Sequence, residues 1–150
     1  MKFRILPPLV MLIFGGFMYL LDRWLPVGEF DFFGRETMST IILIVGFLIM
    51  IMALLQFTRK KTTTDPLHPE KANHLVTGGI FKYTRNPMYL AMLLFLIVLG
   101  LRLGNAFNTL LAAGFVYYMN HFQIKHEEEA LTKKFGKEYL LYLKAVRRWF

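Results

Sequence analysis

Four stretches of this chain are apolar over a length that invites a membrane. From Ile5 to Leu21 only Pro7, Pro8, Gly15 and Gly16 interrupt a run of apolar and aromatic residues, and from Met38 to Phe57 there is no charge at all. Either run suffices as a helix to cross a hydrocarbon core of about 30 Å. A third run, Pro87 to Leu101, and a fourth, Leu103 to Phe122, are divided only around Arg102, Gly104 and Asn105, which predicts a tight helical hairpin. The third is short: at 1.5 Å per residue it covers roughly 22 Å, so it thins the bilayer locally or enters it only in part. Beyond the fourth run, Leu131, Phe135, Tyr139, Leu143 and Val146 recur at intervals of four, four, four and three. This spacing predicts an amphipathic helix, interrupted at Gly136, that lies on the membrane surface or folds back over the bundle.

The pattern as a whole predicts an all-α, polytopic membrane protein of about four transmembrane helices, the last two a hairpin, with a C-terminal amphipathic cytoplasmic helix. A cleaved signal peptide is the rival reading of the first run, since Lys2 and Arg4 precede it. Against this, a small-x-small cleavage site is missing, and three further apolar runs need a partner in the membrane. Overall composition, 55% hydrophobic, does not separate a membrane chain from a globular one, so distribution decides. With no internal repeat, and little chain outside the apolar runs, residues 1–150 read as a single domain.

Charge changes the picture by its placement. The net charge of +8 would suit nucleic acid, but it follows the apolar runs instead. Asp22 to Glu36 holds two basic and four acidic residues, Arg59 to Arg85 six basic and two acidic, and the tail from Lys125 has seven basic residues. The positive-inside rule then puts the N-terminus, the 58–86 loop and the C-terminal tail in the cytoplasm. Anionic lipid headgroups are the expected partner of this charge, and nucleic acid is not. Absence of cysteine excludes disulfides, thiolate metal sites and a cysteine nucleophile. His68, His74 and His126 lack metal-ligand spacing, so no metal is expected.

Two polar clusters carry candidate chemistry. The loop Thr58 to Asn86 has the punctuation of ordered structure in Asp65-Pro66, His68-Pro69 and Gly78-Gly79, and a long ordered loop is usually functional. It ends in Gly78-Gly79-Ile80-Phe81-Lys82-Tyr83-Thr84-Arg85-Asn86-Pro87-Met88-Tyr89. Gly79 permits close approach of a ligand to backbone, Pro87 suits the first turn of a helix, and the free N–H groups of that turn favour an anion. Arg85 adds a fixed positive fork. The plainer account has Arg85 snorkelling to phosphates and Tyr83 and Tyr89 in an interfacial aromatic belt.

The second cluster runs from Asn120 to Glu129, through His121, Glu127 and Glu128. Helical spacing puts Tyr117, His121, Ile124 and Glu128 near one stripe. Here too a plainer account exists: His121 as an interhelical hydrogen bonder and the three glutamates as a solvated run.

Taken in order, the two clusters resemble the membrane methyltransferase family that includes isoprenylcysteine carboxyl methyltransferases and phospholipid N-methyltransferases. Residues 66–89 are similar to its Gly-x-Tyr/Phe and Arg-His/Asn-Pro-x-Tyr segment. Glu127-Glu128-x-x-Leu131, Phe135-Gly136-x-x-Tyr139-x-x-Tyr142 and Val146-Arg147-Arg148-Trp149 are similar to its C-terminal signature, while the first two runs match only in hydropathy. The resemblance implies that 1–57 is scaffold and that 58–150 binds S-adenosyl-L-methionine in a cytoplasmic pocket. Glu127 or Glu128 would take the ribose hydroxyls and the Pro87 helix start the carboxylate. Gly79, Phe81, Tyr83, Tyr89, Tyr139 and Tyr142 would complete the cofactor wall, the tyrosines packing on adenine and facing the sulfonium.

Methyl transfer from a sulfonium needs alignment and exclusion of water more than it needs a metal. Arg85 would orient or neutralise a lipophilic or membrane-associated acceptor. Asn86 stands where many carboxyl methyltransferases of the family carry His, and Asn is no base near neutral pH. An amine or thiol acceptor would then draw on another residue, such as His121, and a carboxylate on none. Two other functions compete: a non-catalytic membrane scaffold of the same fold, and a sterol-type reductase using NADPH.

Overall fold

The computed structural model describes residues 5–25, 27–60 and 68–150. Lys2, Arg4 and the Asp65-Pro66 turn lie outside the described residues. Every extended element among them is helical: α1 (Pro7–Trp24), α2 (Arg35–Arg59), α3 (Pro87–Leu103), α4 (Asn108–Tyr118), α5 (Lys125–Phe135) and α6 (Lys137–Ala145). Two 3-10 turns, Pro69–Lys71 and Gly79–Lys82, punctuate the loop before α3. The six residues Met119–Ile124 form a π-helical segment that joins α4 to α5 without a break.

All four apolar runs are helices, with shifted ends. The first starts at Pro7, where a proline needs no N–H partner, and continues to Trp24. The second extends outward to Arg35 and Arg59, about 37 Å at 1.5 Å per residue. Among the described residues this is the one helix both long and apolar enough to cross a membrane by length and composition. The third is 17 residues, longer than the run suggested, and ends where Gly104 takes a left-handed conformation at φ +74°. The fourth begins only at Asn108, because Asn105 caps the turn: its Oδ1 accepts from Phe107 N at 3.0 Å, and its Nδ2 donates to Leu25 O at 3.1 Å.

That second bond fixes the direction of packing. The end of α1 meets the α3–α4 turn, and the α1–α2 connection is laced to the same turn by Phe30 N to Gly104 O and Ala106 N to Gly28 O. The start of α2 is there as well, since Arg35 Nη1 lies against Phe30 O. The long helices therefore run alternately up and down, with the start of α3 and the end of α2 at the opposite end.

Helix α3 is the central post, packed by α1, α2 and α4. Gly46 of α2 lets it approach closely, since a Cβ there would stand 2.8 Å from the Phe95 ring. Val10, Met18, Met92, Leu96, Phe115, Met119 and Ile124 form the main core. A second, smaller core of Ala53, Val76, Phe81, Tyr139 and Tyr142 lies at the far end of α2. Leu131, Phe135, Leu143 and Val146 pack against it, so the amphipathic face of the tail folds back over the bundle.

The π segment overturns one expectation. It inserts a residue into the helix, and the stripe Tyr117, His121, Ile124 and Glu128 does not survive: Tyr117 and His121 are exposed, whereas Ile124 is fully buried.

Candidate functional site

Where α3 begins, the chain turns sharply. Thr84, Arg85 and Asn86 precede Pro87, and each is fastened to the last residues of the chain. Arg85 N donates to Arg147 O at 3.0 Å, Thr84 Oγ1 to Arg148 O at 3.1 Å and Asn86 Nδ2 to the same carbonyl at 3.0 Å. Arg85 Nη1 reaches Leu143 O at 3.2 Å, and Trp149 Nε1 donates to Asn120 Oδ1 at 3.1 Å. The extended segment after α6 is thus clasped between the α3 start and the π segment.

Behind this clasp lies a cavity of about 130 Å³. Its walls come from Phe57 of α2, the 69–76 loop, Phe81, the Arg85–Tyr89 segment, Glu127, Glu128 and Leu131 of α5, and Tyr139 and Tyr142 of α6. Glu128 is its electrostatic centre. Arg85 Nη2 meets Glu128 Oε1 at 3.0 Å, and Arg148 approaches the same carboxylate twice, Nε to Oε1 at 2.9 Å and Nη2 to Oε2 at 2.6 Å. The paired geometry holds the Arg148 guanidinium charged more firmly, through its hydrogen bonds to Glu128.

Glu127 is held differently. Tyr89 hydroxyl and Gln123 Nε2, the latter at 2.6 Å, both donate to its Oε1. The two tail tyrosines are buried, and burial pushes both hydroxyls well above the ordinary tyrosine range. The Glu128 carboxylate adds to this at Tyr139, and the Arg85 charge works against it at both. Tyr142 donates to Phe81 O at 2.7 Å, tying α6 to the loop before α3 at a net worth of about 1 kcal/mol.

Of the residues singled out in the sequence, Phe81, Arg85, Asn86, Pro87, Tyr89, Glu127, Glu128, Tyr139 and Tyr142 line this one cavity. Gly79, Tyr83 and His121 do not. Gly79 is at φ +58° with the Gln56 side chain where its Cβ would be, so it serves a tight turn and a helix contact. Tyr83 is 74% exposed. His121 stacks on Tyr117 at 4.1 Å on the outside of the helix, with Nδ1 3.0 Å from Tyr117 O.

The sequence alone does not single out Arg148, Gln123 or Thr84 as site residues. Arg148 lies within the C-terminal motif and lacks only a visible partner, while Gln123 and Thr84 leave no signal, because their importance comes from a helical insertion and from backbone carbonyls.

Fold and site together define a class: all-helical proteins in which an apolar bundle ends in one cavity walled by tyrosines, carboxylates and arginine. The model of the phospholipid methyltransferase family matches residues 35–138, and the chain belongs to that family. Protein-S-isoprenylcysteine O-methyltransferase A of Arabidopsis thaliana is 29% identical over 106 residues, 71% of this chain and 54% of the plant protein. A probable protein-S-isoprenylcysteine O-methyltransferase of Oryza sativa is 26% identical over 106 residues, 71% of this chain and 56% of the rice protein. An uncharacterised protein of Haemophilus influenzae is 47% identical over 62 residues, 41% of this chain and 98% of that protein. The chain spans about half the length of the plant relatives it matches. No solved structure matches it.

Proposed function

We propose that this protein is an S-adenosylmethionine-dependent methyltransferase acting on a lipophilic or membrane-associated acceptor. In this reading its four apolar helices cross the bilayer, and its termini, basic loop and tail face the cytoplasm and anionic headgroups. The observation that carries this reading is convergence: the Arg85–Tyr89 segment and the Glu127, Glu128, Tyr139 and Tyr142 side chains, remote in sequence, line one cavity. Membership of the family and likeness to the plant O-methyltransferases support it.

The walls suit the cofactor. Carboxylates are acceptors for ribose hydroxyls, and the buried tyrosines offer flat faces to a purine and a cation. The first turn of α3 leaves backbone N–H groups without helical partners, which favours a carboxylate. Arg85 Nε is buried without a hydrogen-bond partner, a donor in want of an acceptor. Bound here, S-adenosylmethionine would supply a methyl group already activated on sulfur.

The chain's own part is alignment and exclusion of water. Arg85, anchored by Leu143 O and Glu128, orients an anionic acceptor. An acceptor that arrives as a carboxylate or thiolate needs no base from the wall. Asn86 supplies none, and His121 faces outward.

The direct test is incubation of the purified protein with methyl-labelled cofactor and total membrane lipid extract. Label in an extracted lipid supports the reading and names the acceptor. Cofactor binding without any labelled product points to a scaffold, and binding of NADPH in place of S-adenosylmethionine to the reductase.

A further inference from the structure

The cavity of about 130 Å³ is small beside the roughly 300–1,000 Å³ of sites that enclose a drug-sized ligand, and a nucleoside joined to an amino acid is of that size. To take it, a wall has to move. Helices α2 and α3 belong to the bundle, α5 continues from the π segment, and the 69–76 loop is pinned by the buried Ala72 and Val76. The remaining wall, α6, is held differently. It has nine residues, packs chiefly on α5, and turns Leu141, 68% exposed, away from the protein. Its inner face carries Tyr139 and Tyr142, whose rings close the cavity within the smaller core.

Gly136 joins α5 to α6 at φ +54°, where glycine sits freely and other residues are strained. Apart from its chain neighbours, nothing lies within 4 Å of the place a Cβ would take, so this glycine serves backbone rotation and not close packing. Such a residue at an element's end is a hinge. The far end of the segment has two polar catches. Arg148 grips Glu128 through two bonds, and with its side chain 36% exposed, water can replace the carboxylate as the grip opens. Trp149, packed against the main core, is bonded to Asn120. Resting on the cofactor reading above, we propose that α6 and the residues after it form a flap over the cavity, hinged at Gly136 and latched by Arg148 on Glu128, that swings out to admit the cofactor. Arg148 is then a positioning residue, acting on the flap and not on the ligand.

The experiment has two measurements on the full chain in detergent, for the wild type and Arg148→Met. The first is amide hydrogen exchange without ligand, which tests the flap apart from the cofactor reading. Residues 137–145 should exchange at least about tenfold faster than 125–135, and Arg148→Met should quicken the first set alone. Equal rates in the wild type, or equal quickening of both sets, overturns the flap. The second is surface plasmon resonance with S-adenosylhomocysteine. Loosening the latch should raise kon about tenfold, the scale of a hydrogen bond between charged groups. Loss of a direct ligand contact would raise koff and leave kon unchanged, and that result also overturns the proposal. Should Arg148→Met lose its cooperative thermal transition, Arg148→Lys, which keeps the charge without the paired fork, takes its place with the same expected direction. Failure of the wild type to bind removes the cofactor reading and the entry role with it, whereas binding with kon unmoved by the variant removes only the flap.

Discussion

Arg85 and Glu128 meet at 3.0 Å with their side chains only 11% and 15% exposed, joining the start of α3 to the first turns of α5. Arg148 shares the same carboxylate. Two guanidinium charges therefore depend on one acid, and its loss leaves them facing one another.

Glu128→Gln should lower stability by about 2 kcal/mol, less than the loss of roughly 3–5 kcal/mol that follows when a fully buried pair is broken, because Arg148 is partly in solvent. Arg148→Met should cost less, since the Arg85–Glu128 contact survives it. Thermal unfolding of both variants in the same detergent measures the difference. Equal losses would mean that the Arg85 contact contributes nothing.

Burial raises the Tyr139 and Tyr142 hydroxyls above their unfolded value of about 10. The folded state binds these protons more tightly than the unfolded chain, so their contribution to stability is complete below about pH 10 and is lost as pH rises beyond it. Melting temperature should fall through the alkaline range, and less steeply in Tyr139→Phe. Phenolate absorbance provides a second reading: Tyr139 and Tyr142 should ionise only as the protein unfolds.

Gly79→Ala meets two obstacles of different kinds. Gln56 Nε2 would lie 2.1 Å from the new Cβ, but it is the end of a flexible side chain and can swing away. The backbone at φ +58° cannot be relieved that way and costs an L-residue about 1–2 kcal/mol. Gly79→Ala should thus be destabilised by about that amount, and adding Gln56→Ala should restore little of it. Full restoration would put the cost on the side-chain contact.

His121→Ala should leave S-adenosylhomocysteine affinity and methyl transfer within about twofold of the wild type, because the ring stacks on Tyr117 outside the cavity. Competitive binding and single-turnover labelling check each half. A large fall in transfer alone would return His121 to the catalytic residues.

The hydropathy pattern carried the helices well. Pro87 and Gly104 bound α3, and the charge-free run Met38–Phe57 is the middle of α2. Bulk apolarity survives any detail of packing, which is why it reads through. The motif residues also gathered as expected, since Arg85, Tyr89, Glu128 and Tyr139 bear chemistry in their side chains.

What stayed hidden is of two sorts. The π segment Met119–Ile124 has no compositional mark, and one inserted residue turned Gln123 and Ile124 inward, parting Ile124 from the outward stripe of Tyr117 and His121. The acceptors for Thr84, Arg85 and Asn86 are the carbonyls of Leu143, Arg147 and Arg148, and a carbonyl is present at every position. The scaffold assignment of residues 1–57 also needs refinement, because Phe57 at the end of α2 lines the cavity.

The clasp at the chain's end is made largely from peptide oxygens, and that gives it an unusual tolerance. Arg147 lends its carbonyl to Arg85 N while its own side chain is exposed. Many residues could stand at 147 without loosening the hold on the α3 start, provided the main chain keeps its course. Arg148 has no such latitude, because its carbonyl fastens the α3 start while its guanidinium binds Glu128. Two adjacent arginines, alike in letter, are under opposite constraint: one is a length of backbone, the other a keystone.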